Sequence, residues 1–210
     1  MKQVIDIVAK IVSGIFYPLF IPTYGMVLFC AYIEQQFPLP WTYWLYVVGV
    51  TFLMTALLPF GLIMYQVKRG YIHDVYIEQR EERGLAYLES AMGFGFWWYF
   101  LAYVLHAPVW LNAIGLGGTI AIVGIALINL SWKISAHATG MGGLVGGLLV
   151  YAIHYQVMPI GLISGALVLT LLVMYARLWL KAHDDWQVIA GFSWGISCVM
   201  AMFGLYHVLG

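Results

Sequence analysis

Apolar stretches of membrane-spanning length follow one another along most of the chain, separated by short polar or proline-containing turns. A helix needs about 20 apolar residues to cross a hydrocarbon core of about 30 Å. The pattern predicts crossings near residues 11–33, 42–66, 86–105, 109–131, 138–156, 159–180 and 186–208. Because Pro18 and Pro22 interrupt the first stretch, it is expected to form an interfacial helix followed by a shorter span. The prediction is an all-α, polytopic transmembrane bundle of about six to seven spans.

Composition supports this interpretation and excludes a water-soluble protein. The 210 residues are 63% hydrophobic and 9% charged, whereas roughly a quarter of the residues in a soluble domain are charged. The nine basic and nine acidic residues cancel, so no overall field would attract nucleic acid, and no nucleic-acid partner is expected. The chain shows no composition shift that would separate domains, and residues 1–210 are predicted to form a single transmembrane domain.

The loops between the predicted spans fall into two classes. Polar stretches at 68–89, 133–137 and 181–185 alternate with short connectors at 35–40, 106–108 and 156–159. With seven spans, the polar stretches and the N-terminal residues share one face, and Glu34 is the only charged residue on the other. The charged face then holds every basic residue: Lys2, Lys10, Lys68, Arg69, Arg80, Arg83, Lys133, Arg177 and Lys181.

The protein is expected in a bacterial inner (cell) membrane, and the positive-inside rule would place the charged face in the cytoplasm. Basic residues that bind phosphate would be present in either orientation, so the sequence does not determine on which side of the membrane the charged face lies. Glycines at four-residue spacing predict close helix packing; the pairs are Gly142/Gly146, Gly143/Gly147, Gly161/Gly165 and Gly191/Gly195.

Two short polar stretches on this face carry candidate chemistry. In the first, Ser135 is placed to cap a helix whose exposed N–H groups would bind an anion, between Lys133 and His137. In the second, Arg177 offers a planar fork of donors suited to phosphate, and His183 is a candidate nucleophile or base. The alternative for both stretches is structural, namely a capped helix and a solvated turn with basic flanks.

A third polar stretch, residues 68–89, is rich in charge and is expected to be mostly solvated. Arg80 and Arg83 are the exceptions, because residues three apart share a helical face and could bring a second guanidinium to the site.

These residues resemble the motifs of the type 2 phosphatidic acid phosphatase superfamily, the integral membrane lipid phosphate phosphatases. That family carries Lys-x6-Arg-Pro, then Pro-Ser-Gly-His, then Ser-Arg-x5-His-x3-Asp. The segment Ile134-Ser135-Ala136-His137 is similar to the second motif, and Ala176-Arg177 followed after five residues by His183 is similar to the third. The two matches together span about residues 133–191.

The departures from the family motifs concern the first motif and the end of the third. Arg83 is followed by Gly84 instead of proline, and Tyr76 stands where the first motif has lysine, a cation that Lys133 could replace. Gln187 stands where the third motif has the aspartate that orients the nucleophile. The neighbouring carboxylates, Asp184 and Asp185, are candidates to substitute for it.

The resemblance implies a metal-independent phosphatase without a cofactor, acting on a lipid at the membrane interface. His183 would attack phosphorus to form a phosphohistidine, and His137 would protonate the departing lipid oxygen and later activate water. The implied phosphate-binding residues are Lys133, Ser135, Arg177, Arg83 and Arg80. The lipid tail would stay in the bilayer, and phosphatidic acid, phosphatidylglycerol phosphate and polyprenyl phosphates all fit. Oligomeric state stays open.

Two other functions are compatible with the sequence. Gln187 and the incomplete first motif are also expected of a non-catalytic lipid-phosphate binding or transport protein that kept the pocket. A metal-dependent membrane hydrolase is the other alternative, although the histidines lack a tight ligand spacing such as His-Glu-x-x-His. Its ligands would be drawn from His73, Asp74, His137, His183, Asp184 and Asp185.

Overall fold

The structure is a computed structural model that describes residues 2–35, 38, 40–75, 77 and 79–209. Over these residues the chain forms nine α-helices and no strand. They are α1 (Lys2–Ile15), α2 (Ile21–Glu34), α3 (Trp41–Thr51), α4 (Leu58–Arg69), α5 (Arg83–Tyr99), α6 (Val109–Ile128), α7 (Ala136–Tyr155), α8 (Ile160–Trp179) and α9 (Asp185–Leu209). Tyr76, at the lysine position of the first family motif, lies outside the described residues.

The predicted all-α bundle is confirmed. Five helical stretches are long and apolar enough to cross a membrane, namely Trp41–Arg69, Val109–Ile128, Ala136–Tyr155, Ile160–Trp179 and Asp185–Val208. A sixth is possible if Lys2–Ile15 and Pro18–Glu34, which are bent by 42° at their junction, form one span. The bend falls beside Pro18, which opens a short 3-10 turn, Pro18–Phe20. The break predicted from the prolines is therefore present.

The crossing predicted at residues 86–105 differs from the rest. α5 begins earlier, at Arg83, and continues as a π-helical turn, Phe100–Val104, but Glu89 and several Trp and Tyr residues keep it below the apolarity of the five spans. It still runs from one end of the bundle to the other. Arg80, just before it, donates to the Leu130 carbonyl, and Trp98 donates to the Tyr206 hydroxyl.

α3 and α4 form one continuous rod because a π-helical turn, Phe52–Leu57, joins them. Pro59 follows that turn, and its missing N–H and its ring disrupt regular α-helical bonding to the preceding turn. Thr55, inside the turn, donates to the carbonyl of Thr51 at 2.8 Å, and the carbonyl of Leu19 shares the same proton at 3.3 Å. The irregular turn thus packs against the break between α1 and α2.

α7 is the central helix of the bundle. Within the membrane-spanning window it is 72% buried, against 28–39% for the other four spans. It packs closely on α9 because glycines replace side chains there: an added Cβ on Gly142 would lie 2.1 Å from the Phe192 carbonyl oxygen, and one on Gly195 would lie 2.0 Å from that of Thr139. The predicted glycine packing is confirmed between these helices at Gly142, Gly146, Gly191 and Gly195. It is wrong at Gly143 and on α8, since a Cβ on Gly143, Gly161 or Gly165 would meet nothing within 4 Å.

The starts of α5, α7 and α9 and the end of α8 lie at the same end of the bundle, which we call the charged end. α1 lies at this end as well and packs on α8, where the Trp179 indole donates to the Asp6 carboxylate at 2.7 Å. The polar stretches identified in the sequence are therefore neighbours in space.

Candidate active site

Four of the predicted site residues line one cavity of about 150 Å³ at the charged end. Arg83 comes from the start of α5, His137 from the start of α7, Arg177 from the end of α8, and His183 from the turn before α9. Each is only 4–8% exposed. Burying two guanidinium groups beside two imidazoles costs desolvation energy, and such clusters occur preferentially at functional sites.

The imidazole of His183 is held in a defined tautomer by Gln187 and Asp184. Gln187 Nε2 lies 2.8 Å from Asp184 Oδ2, and because a carboxylate only accepts, the amide nitrogen must be the atom facing it. Gln187 Oε1 therefore faces His183 Nδ1, at 2.8 Å, and accepts its proton in a hydrogen bond. Nε2 of His183 is then the ring nitrogen that carries the lone pair.

The two aspartates proposed as substitutes for the family carboxylate have different roles. Asp184 acts on His183 only through Gln187, and its other oxygen accepts from the Gln187 N–H at 2.9 Å, which caps α9. Asp185 is exposed at the first residue of α9. Of the two, Asp184 is the one connected to the histidine.

Burial lowers the pKa of His183 to about 3. The hydrogen bond to Gln187 opposes this shift, whereas the positive charges of Arg83, Arg177 and Lys133 reinforce it. At neutral pH the ring is therefore uncharged, which is the form that can act as a nucleophile.

His137 is oriented by the backbone of α1. Its Nε2 lies 3.1 Å from the carbonyl oxygen of Ser13, which can only accept, so Nε2 carries a proton. The ring of Tyr17 packs edge-on against the imidazole with centroids 5.9 Å apart. Sequence reasoning missed both contacts, because a backbone carbonyl has no sequence signature and Tyr17 lies far from either motif.

Ser135 has the capping role predicted for it. Its side chain accepts from the Ala138 N–H at 3.3 Å, and it is fully buried. Its own N–H donates to the Gln187 carbonyl at 3.2 Å, which ties the second motif directly to the third. Neither Ser135 nor Lys133 is among the described residues that line the cavity, so Ser135 positions the helix and Lys133 acts on His183 through its charge.

Arg83 and Arg80 have different partners at the charged end. Arg83 Nε donates to the Ile77 carbonyl at 2.8 Å, which directs the guanidinium to the cavity. Ile77 has φ 45°, a conformation that β-branched residues rarely adopt. Arg80 lies in a 3-10 turn, Arg80–Glu82, and bonds to the Leu130 carbonyl and to Glu81. The structure therefore brings Arg83, and not Arg80, to the cavity.

The histidine and aspartate of the loop after α4, His73 and Asp74, are not among the described residues that line the cavity. His73 bonds to Glu82 at the surface, and Asp74 accepts from the Ile77 N–H at 3.1 Å. Across the described part of the chain, no group of three or more His, Cys, Asp or Glu side chains could hold a metal ion.

Beyond its two histidines and two arginines, the cavity continues into the apolar interior of the bundle. There its walls come from α2, α5, α6, α7 and α9, with Met26, Phe29, Phe94, Trp97, Ile114, Leu144 and Val199 among the lining residues. The site thus joins a basic end to an apolar interior in a single cavity.

No protein-family model matches the chain, and no curated protein or solved structure is significantly similar to it.

Proposed function

We propose that the chain is an integral membrane phosphatase that hydrolyses a lipid phosphate through a phosphohistidine at His183. One observation carries this proposal: His183, His137, Arg83 and Arg177 line a single buried cavity although they come from four separate elements. One imidazole can act as the nucleophile, the second can act as acid and base, and the guanidinium groups can offset charge on a transferring phosphoryl group. The held tautomer of His183 supports the assignment of the nucleophile.

In the first half of the reaction, Nε2 of His183 attacks phosphorus and the bond from phosphorus to the lipid oxygen breaks. Protonated His137 gives its proton to the leaving oxygen, so the lipid departs as an alcohol. The Ser13 carbonyl accepts from Nε2 of His137, which assigns Nδ1–H as the proton donor to the lipid.

In the second half, water attacks the phosphohistidine while neutral His137 takes one of its protons. The phosphorus–nitrogen bond breaks, inorganic phosphate leaves, and His183 and His137 return to their starting forms. Arg83 and Arg177 bind the phosphoryl oxygens and offset the charge that develops on them. Lys133 adds positive charge from outside the cavity wall.

The decisive experiment measures phosphate release by the purified protein from a panel of lipid phosphates, with and without a strong chelator. His183→Ala should abolish release, because the nucleophile is gone. His207→Ala, which replaces an exposed histidine near the end of α9, is the matched control and should behave like the wild type. Unchanged release by His183→Ala would contradict the assignment, and loss of release in chelator would support the metal-dependent alternative.

A non-catalytic lipid-phosphate binder is the second candidate, and Gln187 favours it. The amide orients His183 but carries no negative charge to stabilise the ring as it becomes positive on phosphorylation. This candidate predicts saturable binding of lipid phosphates without product. Catalytic turnover by the wild-type protein would exclude it.

A further inference from the structure

We infer that Tyr17 is a positioning residue of the proposed active site, with its hydroxyl acting on Arg83 and its ring acting on His137. Tyr17 lies outside both motifs, and its role rests on the proposed function. The basis is a set of contacts through which this one side chain joins two parts of the site that are far apart in the sequence.

The proline break between α1 and α2 places Tyr17 at the cavity. A residue before a proline is disfavoured in the helical conformation, and Tyr17, with φ −60° and ψ 135°, is extended before Pro18. Helix α1 has already ended, at Ile15. Tyr17 therefore leaves the helix, and it is one of the residues that line the cavity.

The hydroxyl of Tyr17 anchors the turn that holds Arg83. It donates to the Val75 carbonyl at 2.8 Å, across 58 positions of the chain. Two residues later, Ile77 has φ 45°, and its carbonyl accepts from Arg83 Nε at 2.8 Å. A β-branched residue keeps such a conformation only when its surroundings fix it. Asp74 fixes the turn locally by accepting from the Ile77 N–H at 3.1 Å, and Tyr17 fixes it from a distant part of the chain.

The ring of Tyr17 packs against the other part of the site. Its plane lies at 84° to the imidazole of His137, with centroids 5.9 Å apart, and Phe60 of α4 packs on the same ring at 6.0 Å. Nε2 of His137 is already bonded to the Ser13 carbonyl, so the aromatic contact restricts the rotation that the imidazole has left. Nδ1–H, the proposed proton donor to the lipid, is thereby held in one orientation.

Two substitutions separate these roles in phosphate release from the lipid phosphate that the wild type hydrolyses fastest. Tyr17→Phe keeps the ring and removes the bond to Val75. KM and the Kd of inorganic phosphate should therefore rise by about 2–10-fold, with kcat within about twofold of the wild type. Tyr17→Leu also removes the ring from His137, and kcat should fall by about 10–100-fold because the proton donor is misplaced. A side chain that only stabilised the fold would not divide its effects between KM and kcat in this way.

Tyr24→Phe is the matched control. The Tyr24 hydroxyl also donates to a backbone carbonyl, that of Ile15 at 2.9 Å. Tyr24 is exposed, however, and is not among the described residues that line the cavity. The KM, the kcat and the phosphate Kd of this variant should match those of the wild type.

A double-mutant cycle tests the link between Tyr17 and Arg83 without turnover. Arg83→Lys removes the Nε donor, so the turn at Ile77 no longer holds this side chain. Tyr17→Phe added to Arg83→Lys should then change the Kd of inorganic phosphate by less than about twofold, although alone it raises this Kd by about 2–10-fold. If Tyr17→Leu does not fold, Tyr17→Met replaces it, since the flexible methionine side chain fills irregular gaps.

Four results would each overturn the inference: unchanged KM and phosphate Kd in Tyr17→Phe, an equal change in Tyr24→Phe, additive effects in the cycle, or a kcat for Tyr17→Leu equal to that for Tyr17→Phe. These results would leave the phosphatase intact. Failure of the wild type to release phosphate from any lipid phosphate would instead overturn the proposed function, while the Kd values would still test the hydroxyl.

Discussion

At the scale of single residues, His183 is held neutral by its surroundings, and this can be tested without turnover. An imidazole in water titrates near about 6.5, whereas burial and three nearby cations lower the pKa of His183 to about 3. We expect its signals in spectra of ¹⁵N-histidine-labelled protein, assigned with His183→Ala, to stay those of a neutral ring from pH 7 to pH 4. A midpoint near the ordinary value would contradict the buried site.

The same shift has a consequence for stability. Below about pH 6.5 the unfolded chain binds a proton at His183, while the folded chain does not until about pH 3. Folded-state stability must therefore fall as the pH decreases through this window. His183→Asn, which cannot bind that proton, should show a weaker loss of stability in thermal unfolding between these pH values.

Gln187 is the second residue whose role can be tested by substitution. Gln187→Leu removes the acceptor for Nδ1 of His183 while keeping a side chain of similar size, and kcat should fall by about 10–100-fold. The double variant Gln187→Glu with Asp184→Asn exchanges the amide and the carboxylate and preserves their hydrogen bond. The kcat of this double variant should be much closer to that of the wild type than the kcat of Gln187→Leu is, since a carboxylate now faces His183. If Gln187→Leu matches the wild type in kcat, the relay has no part in the reaction.

The motif spacing was enough to predict that His137, Arg177 and His183 would meet, because each lies at the end of a span on the same face. It could not predict the partners that hold them. Ser13 contributes a backbone oxygen, which any residue would supply. Arg80 differs from Arg83 only in that the chain enters α5 through a 3-10 turn, and spacing alone does not show such a turn.

At the scale of helices, the contact between α7 and α9 determines whether the two histidines stay together. Gly195→Leu would drive a side chain into the Thr139 carbonyl, which lies 2.0 Å from the added Cβ position. Overpacking of this kind costs about 1–3 kcal/mol or more, and the thermal midpoint in detergent should fall. Gly204→Leu, on the same helix where a Cβ meets nothing within 4 Å, is the control and should leave the midpoint unchanged.

Several helix boundaries followed from the sequence for simple physical reasons. A proline immediately precedes each of three helices, namely Pro40, Pro108 and Pro159. At a helix start a backbone N–H has no partner within the helix, so the missing N–H of proline costs nothing there. The π-helical turns at Phe52–Leu57 and Phe100–Val104 were not predictable. An apolar run shows that a helix is present, but an extra residue in one turn does not change its periodicity enough to be recognised.

At the scale of the whole molecule, the arrangement of the helix ends predicts which loops lie on the same side of the membrane. Gln79 and Ser131 belong to the charged end, and Met158 belongs to the connector at the opposite end. Single cysteines at these exposed positions, in a background with Cys30 and Cys198 replaced by alanine, should react with a membrane-impermeant maleimide in sealed vesicles. Gln79→Cys and Ser131→Cys should both be labelled or both be protected, and Met158→Cys should give the opposite result. Equal labelling of all three would contradict the arrangement.

Membrane character and the all-α architecture could be predicted because the bilayer leaves few alternatives for such an apolar chain. The seven predicted stretches exceed the five or six that are long and apolar enough to cross a membrane, since α5 carries Glu89 and many aromatic residues and falls below the apolarity of the other spans. The interior cavity was also beyond prediction. Its open wall at Gly143 and the tight packing at Gly142 come from the same residue type one position apart.

The orientation of the Gln187 amide also determines which isomer of the proposed phosphohistidine intermediate would be trapped. In the proposed reaction, Gln187 accepts from Nδ1 of His183, so the phosphoryl group would be carried on Nε2, which gives the tele isomer of phosphohistidine. Acid quenching destroys this adduct, so it must be trapped in alkali and identified with isomer-specific antibodies. Recovery of the pros isomer would mean that the ring reacts in the flipped orientation.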